Sequence, residues 1–141
     1  MDTVPQSKRS EVMSRVRSKD SKPEMIVRRL AFGLGYRYRL HDRRLPGRPD
    51  LVFAGRRRII FVHGCFWHRH TAKSCKLARL PKSRLGFWEP KLEGNRIRDR
   101  RIKSELRNLG WEVLTIWECQ LTNLASVSKR VRTFLERYEI D

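Results

Sequence analysis

The sequence predicts an α/β domain, a mixed central sheet flanked by helices, and three observations predict it. An apolar stripe at helical spacing follows a proline near residue 23. Two short apolar runs, Leu51-Val52-Phe53 and Ile59-Ile60-Phe61-Val62, lie on either side of a glycine turn. A long arginine-rich segment then stops at Gly110, just before a further apolar run. The resulting order of helix, three strands, helix, strand and helix is that of a sheet covered by helices.

Residues 1–20 are polar and basic, with Val12, Met13 and Val16 as a thin apolar stripe, so they read as a basic arm or a short helix. Asp20 or Ser21 caps a helix that has Pro23 in its first turn and runs to about Gly35. Met25, Ile26, Leu30 and Leu34 share its buried face, and Glu24 sits where a carboxylate favours the helix dipole. Tyr36 to Leu40 alternates as a strand does, and His41 reads as a loop or surface residue. The turn Leu45-Pro46-Gly47-Arg48-Pro49 then feeds Asp50 into the mouth of the next strand. A turn at Gly55 to Arg58 folds Ile59–Val62 back as a hairpin, which brings Asp50 close to Val62 and His63.

Residues 71–86 form an irregular basic loop that needs something to pin it. A helix opens at Phe87-Trp88 and runs to about Leu109, with Leu92, Ile102, Leu106 and Leu109 inward and Arg96, Arg98, Arg100, Arg101 and Lys103 outward. Trp111 to Trp117 is a strand ending at Glu118-Cys119, and residues 121–138 close the chain as a helix.

The 141 residues are expected to form a single domain with a core of its own. No apolar run approaches the ~18 residues of a membrane span, and the N-terminus has no signal core, so a cytoplasmic, nucleoid-associated protein is expected. Thirty-three Lys and Arg against fifteen Asp and Glu give a net charge of +18, spread along the whole chain. Such a field suits a polyanion, with nucleic acid as the leading partner. Three cysteines, an odd number without an export signal, argue against a disulfide framework.

Chemistry concentrates in His63-Gly64-Cys65-Phe66-Trp67-His68-Arg69-His70, which holds three of the four histidines. Cys65, His70, Cys75 and Cys119 have the ligand types of a closed zinc site, but their spacing matches no common finger, and three free thiols are the alternative. Asp50, His63 and His68 could hold Mg2+ and transfer protons in phosphodiester hydrolysis; each alone is also an ordinary structural residue. Phe66, Trp67 and Trp88 could wedge between base pairs, or at least one of them could be core.

Four blocks together resemble the very short patch repair (Vsr) endonuclease family. They are Leu45-Pro46-Gly47-Arg48-Pro49-Asp50, Phe61 to His70, Phe87 to Asp99, and Gly110-Trp111 with Trp117-Glu118-Cys119. The resemblance implies a restriction-endonuclease-like fold and an enzyme that nicks 5′ to the thymine of a T:G mismatch left by 5-methylcytosine deamination. It implies Mg2+ on Asp50 and the Val62 carbonyl, with His63 and His68 flanking the scissile phosphate and Glu24 orienting a histidine or water. Zn2+ would sit on Cys65, His70, Cys75 and Cys119, and Phe66, Trp67 and Trp88 would intercalate. Arg48, Lys91, Asn95 and Arg98 are further candidates for DNA contact. The chain departs from the pattern in three places. Phe61-Val62-His63 stands where the wider superfamily carries Glu-x-Lys, Val62 replaces an expected hydroxyl residue, and the interval from His70 to Cys75 is longer. The expected partner is mismatched double-stranded DNA, bound by a monomer, with mismatch-repair proteins as further partners. A catalytically silent zinc-bearing DNA binder and an endonuclease that cuts matched DNA are the competing readings.

Overall fold

The computed structural model describes residues 21–68, 70, 75–78 and 85–137. The basic arm expected over residues 1–20 and most of the expected 71–86 loop lie outside them. Among the described residues the elements are α1 (Lys22–Gly33), β1 (Arg39–Leu40), β2 (Leu51–Phe53), β3 (Arg58–His63), α2 (Leu85–Asn108), β4 (Glu112–Trp117) and α3 (Leu124–Glu136). The sheet runs β1-β2-β3-β4. The first two pairings are antiparallel, Leu51 opposes Ile60, and β3 and β4 are parallel with His63 beside Trp117. Because α2 connects two parallel strands, the chain has the length it needs to cross the sheet and return.

Alternation along the strands sorts the core into two layers. Leu51, Phe53, Ile60 and Ile116 pack with Val27 and Ala31 of α1 and with Val127, Val131, Phe134 and Leu135 of α3. Val52, Ile59 and Phe61 face the other way and meet Leu106 and Ile102 of α2, together with Trp111. The fold is therefore the expected α/β sandwich, with both sheet faces buried. Period two continues through β3, so His63 emerges on the α2 side after Ile59 and Phe61.

Several local expectations are corrected. The buried edge of α1 is Glu24, Val27 and Ala31, with Leu30 and Leu34 only flanking it, because Glu24 is drawn inward by polar partners. The strand expected from Tyr36 shrinks to Arg39–Leu40, since Tyr36 turns into the core and bonds Glu136 through its hydroxyl at 2.6 Å. Leu109 is 54% exposed, while Lys103, expected outward, is half-buried. A 3-10 turn, Glu118–Thr122, precedes α3, which starts at Leu124 under the side-chain cap of Asn123.

Two loops are pinned by specific chemistry. Gly47 has φ +77°, and a Cβ there would come within 2.5 Å of Ile102, so only glycine lets the loop before Asp50 lie against α2. Arg57 donates to the Leu109 and Gly110 carbonyls and stacks on Trp111, while Arg56 and Arg58 donate to the carbonyls of Leu135 and Arg137. Three consecutive cations thus cap the C-terminal ends of α2 and α3, where carbonyls are unsatisfied.

Candidate active site and metal centre

The first cluster forms where α1, the end of β1 and the start of β2 meet. Glu24 is 2% exposed, and its Oε2 lies 2.9 Å from His41 Nε2 and 3.5 Å from an Arg28 guanidinium nitrogen. Donor atoms of Glu24, His41 and Asp50 all fall within 4.8 Å of one another. Asp50 accepts the Val62 N–H at 2.7 Å, so the hairpin register places its carboxylate against the β3 backbone. Burial raises the Asp50 carboxyl to about 7, with the Glu24 carboxylate adding to the rise and the Val62 bond opposing it. His41, expected on the surface, is instead part of this centre: its side chain is 18% exposed and turns inward from a left-handed backbone, φ 47°. A buried carboxyl, a half-buried one and an imidazole could hold a divalent cation, which would relieve the penalty that raises Asp50.

The second cluster lies on the α2 side of the same strand end. His63 and His68 stack with ring centroids 3.8 Å apart and planes 5° apart. His68 Nδ1 sits 2.5 Å from Asp99 Oδ2, and His63 Nδ1 lies 4.0 Å from the same oxygen. Donation from Nδ1 to the carboxylate leaves Nε2 of His68 as the ring's proton acceptor. Burial, and then the nearby His68 and Lys103, hold His63 well below the ordinary imidazole range, so it is neutral. These three side chains are also close enough to share an ion. Parallel rings, however, send their in-plane lone pairs out side by side rather than to one point, which suits proton transfer better than shared coordination. Asp99 was not singled out from the sequence. The available signal was its place on the inward stripe of α2 with Leu92, Asn95, Ile102 and Leu106.

The third cluster closes the turn after β3 onto the end of β4. Donor atoms of Cys65, His70, Cys75 and Cys119 all lie within 4.8 Å of one another. Cys119 Sγ is 3.5 Å from His70 Nδ1, and Cys65 Sγ accepts the Cys119 N–H at 3.4 Å. A thiolate and an imidazole on one tetrahedral zinc stand about 3.6 Å apart, given ordinary Zn–S and Zn–N bonds. Burial pushes the Cys65 thiol far up and lowers His70, whereas at Cys75 burial is outweighed by hydrogen bonds, first from Cys65, which hold the thiol below its ordinary range. The donor set and its spacing fit zinc.

The wedge candidates share a neighbourhood. Phe66, Trp67 and Trp88 meet pairwise at 5.2, 5.5 and 5.8 Å between ring centroids, and Phe87, 50% exposed, packs on Trp88. Trp67 is the buried member, and its carbonyl accepts the Asn95 amide at 3.0 Å. Lys91 lies over the rings of Trp67 and Phe87, whereas Arg48 and Arg98 are exposed. Asn95 and Asp99, one turn apart on α2, therefore hold the aromatic turn and His68 respectively. On the other side, His70 stacks on Trp117 at 4.2 Å, and Trp117 meets the His63 ring at 5.2 Å. A chain of ring contacts, stacked at His70–Trp117 and edge-on at Trp117–His63, joins the Cys/His cluster to the paired histidines.

Comparison with known proteins gives this geometry a family. The model for the DNA mismatch endonuclease Vsr matches residues 1–75. The type II nicking enzyme V.XorIIP of Xanthomonas oryzae pv. oryzae is 47% identical over 135 residues, 96% of this chain and 97% of its own. The type II nicking enzyme V.NmeAIP of Neisseria meningitidis is 42% identical over 130 residues, 92% and 91% of the two chains. DNA mismatch endonuclease Vsr of Escherichia coli is 40% identical over 138 residues, 98% of this chain and 85% of its own. With a family model matching more than half of it and relatives this similar along nearly its whole length, the chain belongs to the Vsr family of DNA mismatch endonucleases, the family that its motif blocks resemble.

Proposed function

We propose that this protein, a strand-nicking DNA endonuclease, acts as a monomer with Mg2+ and cuts 5′ to the thymine of a T:G mismatch such as 5-methylcytosine deamination leaves. The observation that carries the reading is the end of β3. A buried carboxylate centre lies on one side of it, the His68–Asp99 pair lies on the other, and the aromatic turn follows directly in the chain. Asp50 and the Val62 carbonyl would hold the cation, with Glu24 beside them. Mg2+ bound there supplies positive charge to the phosphoryl group as charge builds on it. His68, oriented through Nδ1 by Asp99, accepts a proton at Nε2 from the attacking water. His63, neutral and stacked on His68, orders that ring and offers a hydrogen bond at the phosphate. The net charge of +18 supplies salt-dependent affinity for the backbone.

Recognition falls to the aromatic group. Phe66 and Trp88 enter the base stack with Trp67 as their buried support. Insertion costs less at a weakened T:G pair than in a matched duplex. Zn2+ on Cys65, His70, Cys75 and Cys119 keeps this turn rigid. A purely binding role leaves the His68–Asp99 pair and the buried carboxylates without a purpose.

The test is nicking of an end-labelled duplex carrying T:G against the same duplex carrying T:A, both with Mg2+. A nick mapped 5′ to the thymine of the T:G duplex, with T:A left intact, is the expected result. Equal cleavage of both sinks the repair reading in favour of an endonuclease for matched DNA.

A further inference from the structure

We propose that His41 is a direct ligand of the same divalent cation as Asp50 and Glu24, making the centre a mixed carboxylate–imidazole site that binds Mn2+ more tightly than Mg2+. The inference rests on the reading that this centre binds a divalent cation, and it names the donor that decides which one.

His41 ends the edge strand β1, where Arg39 and Leu40 are exposed. A residue continuing that edge would point to solvent. Instead the backbone enters the left-handed region at φ 47°, a conformation that is strained for a side-chain-bearing residue. The turn carries the imidazole inward, where its side chain is 18% exposed. The backbone N–H of His41 meets the Asp50 carbonyl at 3.4 Å, so the two residues are held side by side across the strand pair.

The donor spacing is that of ligands around one ion. His41 Nε2 and Glu24 Oε2 are 2.9 Å apart, and both lie within 4.8 Å of an Asp50 oxygen. Two adjacent ligands of an octahedral ion with bonds of about 2.0–2.1 Å are separated by about 2.9 Å. Without a cation, the same distance is that of a hydrogen bond between His41 Nε2 and Glu24, and metal binding must displace any proton on Nε2. Imidazole nitrogen is a poor partner for Mg2+, which prefers oxygen, and a better one for Mn2+ and later ions of the series. A site of two carboxylates and a backbone carbonyl alone would show less of that bias.

Zinc-replete protein titrated with Mn2+, then examined by pulsed electron paramagnetic resonance for nitrogen bound to the ion, decides the matter without any cleavage assay. The expected wild-type spectrum contains a directly coordinated nitrogen. In His41→Gln that nitrogen is lost and Mn2+ binds roughly tenfold more weakly, while Mg2+ affinity changes less. Mn2+ bound in an Asp50-dependent way with no coordinated nitrogen, or a nitrogen signal that survives His41→Gln, overturns the proposal. A wild-type spectrum without coordinated nitrogen is decisive alone, so misfolding of the variant would not rescue the proposal. Wild-type protein that binds neither ion, or binding unchanged in Asp50→Asn, overturns the cation centre itself and the inference with it.

Discussion

Glu24, His41 and Asp50 gather oxygen and one nitrogen donor where α1 meets the hairpin, whereas Cys65, His70, Cys75 and Cys119 gather three sulfurs and a nitrogen where the turn after β3 meets β4. Both clusters bury groups that resist becoming anions: burial raises the Asp50 carboxyl to about 7 and pushes the Cys65 thiol far higher. In each, a bound cation would favour the anionic form that burial opposes, but the two clusters would use it in different ways. Three sulfurs and an imidazole nitrogen would fill a four-coordinate ion and leave no position for a substrate, as a structural site requires. Two carboxylates and one imidazole at the mouth of a strand would leave positions for water and for a phosphate oxygen. On the function proposed above, one cluster would shape the turn and the other would serve the reaction. The short segment from Val62 to His70 belongs to both.

The largest expected effect separates them by stability. Cys119→Ser, or zinc removal by a strong chelator, should lower the melting temperature by about 10 °C or more, because zinc binding at such a site is folding free energy. Asp50→Asn should leave melting unchanged or raise it slightly, since a buried carboxylate is removed. Calorimetry on both proteins checks this, and similar losses in the two would erase the distinction.

Asp50→Asn should instead abolish nicking, by on the order of a thousandfold or more, while a gel-shift assay finds T:G duplex binding retained. Next in size, His68→Ala should slow single-turnover nicking by about 10²–10⁴-fold, the usual worth of a positioned acid–base group. Asp99→Asn should cost less, about ten- to a hundredfold, and should shift the pH profile of the rate, because it acts only through His68 at Nδ1. An Asp99→Asn rate equal to wild type would remove Asp99 from the site.

The smallest effect is on pH. The Asp50 carboxyl titrates near 7 in the folded protein and about 3 units lower when unfolded. Its raised value stabilises the metal-free fold fully only below the unfolded value, and that contribution is lost as pH rises towards 7. Cation binding must displace the proton, so Mg2+ affinity should rise up to about tenfold per pH unit below pH 7 and level off above it. Calorimetric titration at several pH values reads this slope directly. A flat profile from pH 5 to 7 would place Asp50 outside the cation site.

Much of this was legible in the sequence because the signals were local. Leu45 to Asp50 declares a constrained loop ending in a carboxylate, and Phe61 to His70 declares a strand that leaves the sheet carrying chemistry. The hairpin followed from two apolar runs and a turn, and it correctly brought Asp50 to Val62. What stayed hidden depends on long-range register. His41 read as a loop residue because nothing local says that its backbone turns inward to meet Glu24, 17 residues earlier. Asp99 lay among alternating charges on a helix, and only the packing of α2 against β3 shows which of those charges faces His68. Arg56, Arg57 and Arg58 look like part of the DNA-binding charge, yet they cap two helices whose ends lie more than fifty residues downstream. Composition reports how much charge a chain carries, but not where the fold uses it.

The most direct test of two clusters with separate tasks is the nicking rate of zinc-replete protein on a T:G duplex, measured as Mg2+ is titrated from zero. Cleavage should be absent without Mg2+ and should saturate with it, while zinc content stays at one per chain throughout, as a single four-donor site requires. Full nicking in the absence of Mg2+, with zinc still bound, would contradict the division of labour between the two clusters.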